Sequence, residues 1–249
     1  MVALVTGASS GIGKDIALVL ANKGYDLILV SRRADKMTEI KNMVKTNCKT
    51  VSCDLSVAEN CIKLCECLVS EDIDVVINCA GFGVFGKFDE TDLGKEISMI
   101  NTNITALHII AKYFVKKFVK EGKGYILNVA SVAAFAPGPT FSSYYASKAY
   151  VLRLTQAIRE EIRKTGVYIG ALCPGPVDTE FNAVANVGFG FKGMSSEYVA
   201  KYAVDKMFKK KTVIIPGFKF KALVFFSKFI PDKIAAKITA KFQKKKNNG

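Results

Sequence analysis

Apolar positions along the chain follow two rhythms. Short runs rich in Val, Ile and Leu occur at residues 2–6, 26–31, 49–53, 74–79, 124–130, 167–173 and 212–216. They are nearly unbroken in apolar character, which suits strands buried on both faces of a parallel sheet. Between them, residues 13–23, 34–46, 57–69, 103–120 and 144–164 repeat apolar positions at about 3.6-residue spacing, the mark of helices. This alternation predicts one doubly wound α/β domain: a mostly parallel seven-stranded sheet, helices on both faces, right-handed crossovers. Neither an internal repeat nor a Ser/Gly-rich linker divides the chain. Residues 1–216 are assigned to this domain, and 217–249 to a basic helical extension packed on it or trailing from it.

With 249 residues, half of them apolar, the chain can bury a sizeable core. The apolar stretch at 222–226 is far shorter than the roughly 20 residues a membrane span needs. Met1 leads directly into a strand-like run, so no signal peptide is expected. Seven cysteines, an odd and scattered set, suit reduced thiols in a cytoplasm. Cys61, Cys65 and Cys67 cluster, but His108 is the only histidine and no CxxC pair occurs, so no metal site is expected. The net charge of +14 is uneven: residues 201–249 hold fourteen lysines and two acids, Asp205 and Asp232. No nucleic-acid recognition motif accompanies that charge, and no nucleic-acid partner is expected.

The first strand runs into TGASSGIGKDIALVL, with Gly7, Gly11 and Gly13 in the turn and the first helical residues. Side chains there would obstruct a pyrophosphate seeking backbone N–H groups and the positive end of the helix dipole. The turn follows the first strand of a βαβ unit, the context such a nucleotide cradle requires. At the end of the second strand, an acid would bind a ribose 2′-hydroxyl and repel a 2′-phosphate. Here Ser31 stands in that place, followed by Arg32 and Arg33, whose guanidinium groups suit phosphate. The reading is NADP (NADPH).

The TGxxxGxG spacing resembles that of the short-chain dehydrogenase/reductase family, and further motifs follow in order. NCAG at 78–81 resembles the family's NNAG, with Cys79 replacing an asparagine; NTNIT at 101–105 resembles its asparagine motif; Ser131, YxxxK at Tyr144 and Lys148, and PGPVDT at 174–179 complete the set. The resemblance covers about residues 2–216 and implies a Rossmann-type fold. It also implies cofactor contacts at Gly7, Ser9, Ser10, Gly11, Ile12, Gly13, Arg32, Arg33, Asp54, Leu55, Asn78, Ala80, Gly81, Tyr144, Lys148, Pro174, Gly175, Val177 and Thr179. Asp54 would meet the adenine edge, and Val177 the carboxamide.

The segment YYASK poses a choice between two tyrosines. Tyr144 and Lys148, four apart on a helix, share a face. A nearby ammonium, with the charge of an oxidised nicotinamide, is expected to lower the phenol pKa and fit it for proton transfer. Tyr145 stands three before Lys148 and could compete, but Tyr144 gives the family spacing and lies thirteen residues after Ser131. The resemblance makes Tyr144 the acid/base and Ser131 the holder of the substrate carbonyl. Asn103 becomes the relay asparagine, with Asn101 in the family's aspartate place. Ser142, Ser143 and Ser147 read as helix-start or surface residues, and His108 as a packing residue.

Many family members end in a segment that helps close a tetramer. This chain instead continues with IPGFKFKALVFFSKFIPDKIAAKITAKFQKKKNNG, so a dimer is favoured. That extension resembles reductases of lipophilic ketones of the 3-oxoacyl or steroid type. Within it, Ile234, Ile238 and Phe242 recur at i+4 beside a stripe of Lys233, Lys237 and Lys241. Such a helix can lie on an anionic membrane surface, or dock and trail a solvated lysine tail. Segment 180–194 is expected to form a mobile lid over an apolar small-molecule substrate. The expected activity is NADPH-dependent reduction of a ketone or aldehyde, or the reverse oxidation. The alternative is a non-catalytic NADP(H)-binding sensor or scaffold, which has no need to keep Ser131, Tyr144 and Lys148 together. An epimerase or dehydratase would need a longer substrate domain.

Overall fold

The structure is a computed structural model that describes residues 1–185 and 193–247. In chain order its elements are β1 (Val2–Thr6), α1 (Gly11–Ala21), β2 (Asp26–Ser31), α2 (Ala34–Met43), β3 (Cys48–Ser52), α3 (Ala58–Leu68) and β4 (Ile73–Asn78). There follow α4 (Leu93–Ile100), a π-helical turn (Asn101–Ala106), α5 (Leu107–Glu121), β5 (Tyr125–Val129), a 3₁₀ turn (Val132–Phe135), α6 (Ser142–Glu161) and β6 (Tyr168–Leu172). The remainder is β7 (Val177–Asp178), α7 (Phe181–Val184), β8 (Met194–Ser195), α8 (Ser196–Phe208), β9 (Val213–Ile214), α9 (Phe218–Ser227) and α10 (Asp232–Asn247).

Seven strands form one sheet in the order β3-β2-β1-β4-β5-β6-β9, and every pairing is parallel. The alternation of strand side chains sends Ala3, Val5, Leu27, Leu29, Val75 and Ile77 to the face covered by α1 and α8. Their neighbours Leu4, Ile28, Val30, Val76 and Ile126 go to the face covered by α3 and α5. Both faces are dry, which accounts for the unbroken apolar runs. Phe114 and Phe118 of α5 are fully buried on the second face. Truncating either to alanine costs about 3–5 kcal/mol, the usual toll of a large core cavity.

The long helix expected from residue 103 starts ten residues earlier, at Leu93, where the Asp92 side chain caps it by accepting from Lys95 N at 2.7 Å. It continues through the π turn and ends at Gly122, whose left-handed φ of 70° forms the C-cap. Helix α8 has no counterpart among the expected helices; it packs along α1. The strand order reverses between β1 and β4, opening a crevice at the carboxyl ends of the strands, where ligands bind in open α/β sheets. Among the described residues no helix is long and apolar enough to cross a membrane.

Candidate active site

At the reversal point the end of β1 is tied to the end of β4. Thr6 Oγ1 donates to Ile77 O (3.3 Å) and accepts from Cys79 N (3.1 Å) and Ala80 N (3.2 Å). The chain then turns at Gly7 with φ 65°, where a Cβ would lie 2.8 Å from the Ala80 backbone. A Cβ on Gly13 would lie 2.3 Å from the Gly7 carbonyl oxygen, so the first turn of α1 closes directly onto the loop. No acid stands in that first turn to neutralise the positive end of the helix. The result is a backbone-walled cradle at one end of a cleft of about 420 Å³.

The adenosine side of the cleft is bounded by the end of β2. Ser31 Oγ donates to Ser9 Oγ at 2.8 Å, and the Arg33 side chain lies on Ser9 and Ser10. Its Nε and Nη2 donate to Ser9 Oγ (3.2 and 3.0 Å), Nη2 to Ser10 Oγ (2.8 Å), and Nη1 to Glu180 Oε2 (2.7 Å). That ion pair holds the Glu180 carboxyl below its ordinary pKa. Arg32 also lines the cleft, and its charge acts on Asp54. The Asp54 carboxyl is held low mainly by accepting from Ser56 N (3.0 Å) and Ser56 Oγ (2.8 Å).

The opposite wall carries the hydroxyls. Ser131 follows β5 in extended backbone; its Oγ accepts from Ala133 N at 3.1 Å and faces Pro174 O at 3.5 Å. Helix α6 presents Tyr144 to the same space, with the ring stacked on Phe141 (centroids 4.5 Å apart) and flanked by Phe181 (5.4 Å). One turn on, Lys148 Nζ donates to Val129 O (2.9 Å) and stands 5.8 Å from the Tyr144 ring centre. Burial pushes the phenol above its ordinary value, opposed by the Ser131 hydroxyl at its side. The lowering expected from Lys148 together with an oxidised nicotinamide belongs to the cofactor-bound site; in the protein alone burial sets the direction. The ammonium is itself pulled down to about 8 by burial, with Cys79 and Cys173 acting in the other direction.

Asn103 stands behind this wall, on the π turn. Its Nδ2 donates to Phe82 O (2.9 Å) and Ser147 Oγ (3.1 Å), and its Oδ1 accepts from Phe82 N (3.0 Å). A Cβ on Gly81 would lie 2.9 Å from Asn103 Oδ1 and 3.4 Å from Lys148 Nζ, so the asparagine and the lysine flank one glycine. Ser147 is fully buried and bridges Asn103 to the Tyr144 carbonyl, to which its Oγ donates at 2.7 Å. It is not the surface or helix-start residue expected, since α6 begins at Ser142 and its inward face includes 144, 147 and 148.

The cleft is lined by Gly7, Ser9, Ser10, Gly11, Ile12, Gly13, Arg32, Arg33, Asp54, Leu55, Ala80, Gly81, Ser131, Tyr144, Lys148, Pro174, Gly175, Val177 and Thr179. Asn78, expected against the cofactor, is instead buried between strands, donating to Asn128 Oδ1 at 2.9 Å. Asn101 is half-buried in the π turn. His108 is exposed and not packed; its Nδ1 pairs with Tyr150 OH at 2.8 Å. Tyr145 belongs to the rim and accepts a hydrogen bond from Gln243 Nε2 of α10 at 3.0 Å. Cys61 and Cys65 are buried in the core, and among the described residues no group of His, Cys, Asp and Glu is placed to hold a metal. Of the expected lid, residues 186–192 lie outside the described residues. Phe181 and Asn182 at its start line the cleft.

Residues 1–188 match the short chain dehydrogenase family. An uncharacterized oxidoreductase of Staphylococcus epidermidis is 34% identical over 189 residues, covering 75% of this chain and 82% of the relative. Among solved structures, a short-chain dehydrogenase from Sphingobium yanoikuyae in complex with NADPH superposes with a TM-score of 0.82 at 30% identity, over 89% of this chain and 91% of that one. The bulky-bulky ketone specific alcohol dehydrogenase from Comamonas testosteroni superposes with a TM-score of 0.77 at 30% identity, over 87% and 86%. A glycine cradle at the switch point, with serine, tyrosine and lysine on the facing wall, therefore belongs to an oxidoreductase of the short-chain dehydrogenase/reductase family.

Proposed function

We propose that the chain is an NADPH-dependent reductase of a ketone or aldehyde with apolar flanks. The observation that carries this reading is the convergence of Ser131, Tyr144 and Lys148 on the wall facing the glycine cradle. The cradle fits a dinucleotide: Cβ-free backbone at Gly7 and Gly13, the open N-terminus of α1 and Asp54 along one edge can hold pyrophosphate and adenosine. Ser31, in the place where an NAD-preferring site would offer an acid, and Arg33, fixed beside it by Ser9 and Ser10, support a cofactor with a 2′-phosphate. The NADPH bound by the Sphingobium neighbour supports the same choice. When bound, such a cofactor supplies the hydride.

The chain's own residues would do the rest. The Ser131 and Tyr144 hydroxyls would hold the substrate carbonyl oxygen, and Tyr144 would pass its proton to that oxygen as charge develops there. A protonated phenol is suited to the donor role in reduction, and the phenolate to the acceptor role in the reverse oxidation. Lys148, held by Val129 O and flanking Gly81 with Asn103, would return a proton from its ammonium to Tyr144 and be reprotonated from solvent. Phe141 and Phe181 on either side of the phenol exclude water and favour an apolar substrate. The bulky ketones of the Comamonas neighbour agree with such walls. A panel of ketones and aldehydes tested for loss of NADPH absorbance checks this reading. Consumption with bulky apolar ketones is expected; no consumption with any carbonyl would overturn it.

A further inference from the structure

Among the described residues, five of the six exposed phenylalanines lie between residues 218 and 242: Phe218, Phe225, Phe226, Phe229 and Phe242. Leu223, Ile234 and Ile238 join them, and the eight side chains are between 42% and 84% exposed. The way α10 sits on the domain explains much of this. At 100° per residue, its positions 235, 239 and 243 form one stripe, 234, 238 and 242 a second, and 233, 237 and 241 a third. The first stripe faces inward. Ala235 and Gln243 are buried, Thr239 Oγ1 donates to Pro137 O at 2.7 Å, and Gln243 holds Tyr145. Its small and polar side chains do the docking, while the large apolar stripe of Ile234, Ile238 and Phe242 is left outside, beside the lysines.

Helix α9 repeats the arrangement. Its Phe220 ring covers Gly175 and Val224 is buried, whereas Phe225 sits outside against Phe226 and Phe229 at ring separations of 5.5 and 5.6 Å. Lys219, Lys228, Lys233, Lys237 and Lys241 are exposed around these side chains. None of the five makes a salt bridge among the described residues.

We propose that the outward side of α9 and α10 is a docking surface for an anionic lipid bilayer, with the phenylalanines and isoleucines at headgroup depth and the lysines on lipid phosphates. Apolar exposure of this extent on a soluble domain marks a contact surface, and a basic helix with an aromatic and aliphatic stripe is suited to the interface plane. Charge decides between lipid and a second copy. Twelve of the fourteen net positive charges lie in residues 201–249, so tail-to-tail pairing would oppose like charges, and residues 1–200 carry only +2 and offer no acidic bulk in exchange. Anionic headgroups are complementary throughout. Because Tyr145, held by α10, lies on the rim of the cleft, docking would bring the cleft mouth beside the lipid.

The test is co-sedimentation of the full-length protein with vesicles of phosphatidylglycerol and phosphatidylcholine in equal parts, and with phosphatidylcholine alone. Binding to the anionic vesicles is expected at low salt, with release as the Debye length falls from about 10 Å at 0.1 M to about 3 Å at 1 M. Replacing Lys233, Lys237 and Lys241 together by glutamine should lower partitioning about fivefold per lysine removed. Ile234→Ser with Ile238→Ser should abolish binding without lowering the thermal midpoint, because neither side chain faces the domain. Absence of binding at low salt, or binding indifferent to both sets of changes, would overturn the proposal. So would velocity sedimentation showing a dimer that the serine changes dissociate while vesicles go unbound, since a second copy would then occupy the face.

Discussion

The Arg33 guanidinium reaches across the mouth of the cleft to the Glu180 carboxylate, 2.7 Å away and 147 residues along the chain. The same guanidinium is, with that of Arg32, one of the two cations expected to meet a cofactor 2′-phosphate, so Glu180 competes with the phosphate for it. Arg33→Ala is expected to weaken NADPH binding by about 1.5–3 kcal/mol, the usual loss of a charge-assisted contact, and to leave NADH binding little changed. Glu180→Gln should strengthen NADPH binding by up to about 1 kcal/mol, the ceiling for an exposed pair. Arg32→Ala, which removes the second cation lining that end of the cleft, should likewise reduce the preference for NADPH over NADH. Fluorescence titration of both cofactors measures all three. Equal affinity of the unaltered protein for NADPH and NADH would refute the assignment.

Ser147 is a positioning residue. Ser147→Ala leaves the buried Asn103 Nδ2 with Phe82 O as its one acceptor and should cost about 1–3 kcal/mol in chemical denaturation. Ser147→Thr, which keeps the hydroxyl, should recover part of the loss. The alanine variant should also lower kcat more than it raises KM, a split that a merely structural role would not produce. If both variants matched the unaltered protein, the bridge between Asn103 and Tyr144 would have no energetic weight.

Lys148 sets a pH dependence of stability. Burial lowers its folded-state pKa to about 8 from the ordinary 10.5, so between those values the unfolded chain binds the extra proton. Stability therefore rises with pH across that window, and the penalty for the buried charge is fully present below pH 8. Lys148→Met carries no such charge. Relative to it, the unaltered protein should gain up to about 3 kcal/mol between pH 8 and 10.5, read from denaturation at each pH. A difference that stays flat with pH would mean that the ammonium is better solvated than its surroundings indicate.

What was legible in the sequence was what local chemistry dictates. Continuous apolar runs imply strands covered on both faces; the glycines of the first turn and the Tyr144–Lys148 spacing each declare themselves within a few residues. Features that depend on distant partners were not legible. Ser147 reads as a polar helix residue until Asn103, 44 residues earlier, is placed against it. The π turn at Asn101–Ala106 is a shift in backbone hydrogen bonding with no side-chain period of its own. Asn78 sits in the family's cofactor motif, yet Asn128 on the next strand claims its side chain. The stripes of α10 were countable in advance, but which stripe faces inward is set by Pro137 and Tyr145.

Whether Tyr144 is the proton donor of an NADPH-dependent reduction is decided by comparing Tyr144→Phe and Tyr145→Phe. Single-turnover NADPH oxidation with an accepted ketone is followed beside NADPH binding by titration. Tyr144→Phe removes the hydroxyl beside Ser131 and should abolish nearly all oxidation while leaving NADPH affinity within about twofold, a difference of under 1 kcal/mol. Tyr145→Phe removes only the rim contact with Gln243 and should retain turnover, at about 1 kcal/mol of stability. Full activity in Tyr144→Phe together with loss in Tyr145→Phe would contradict the account.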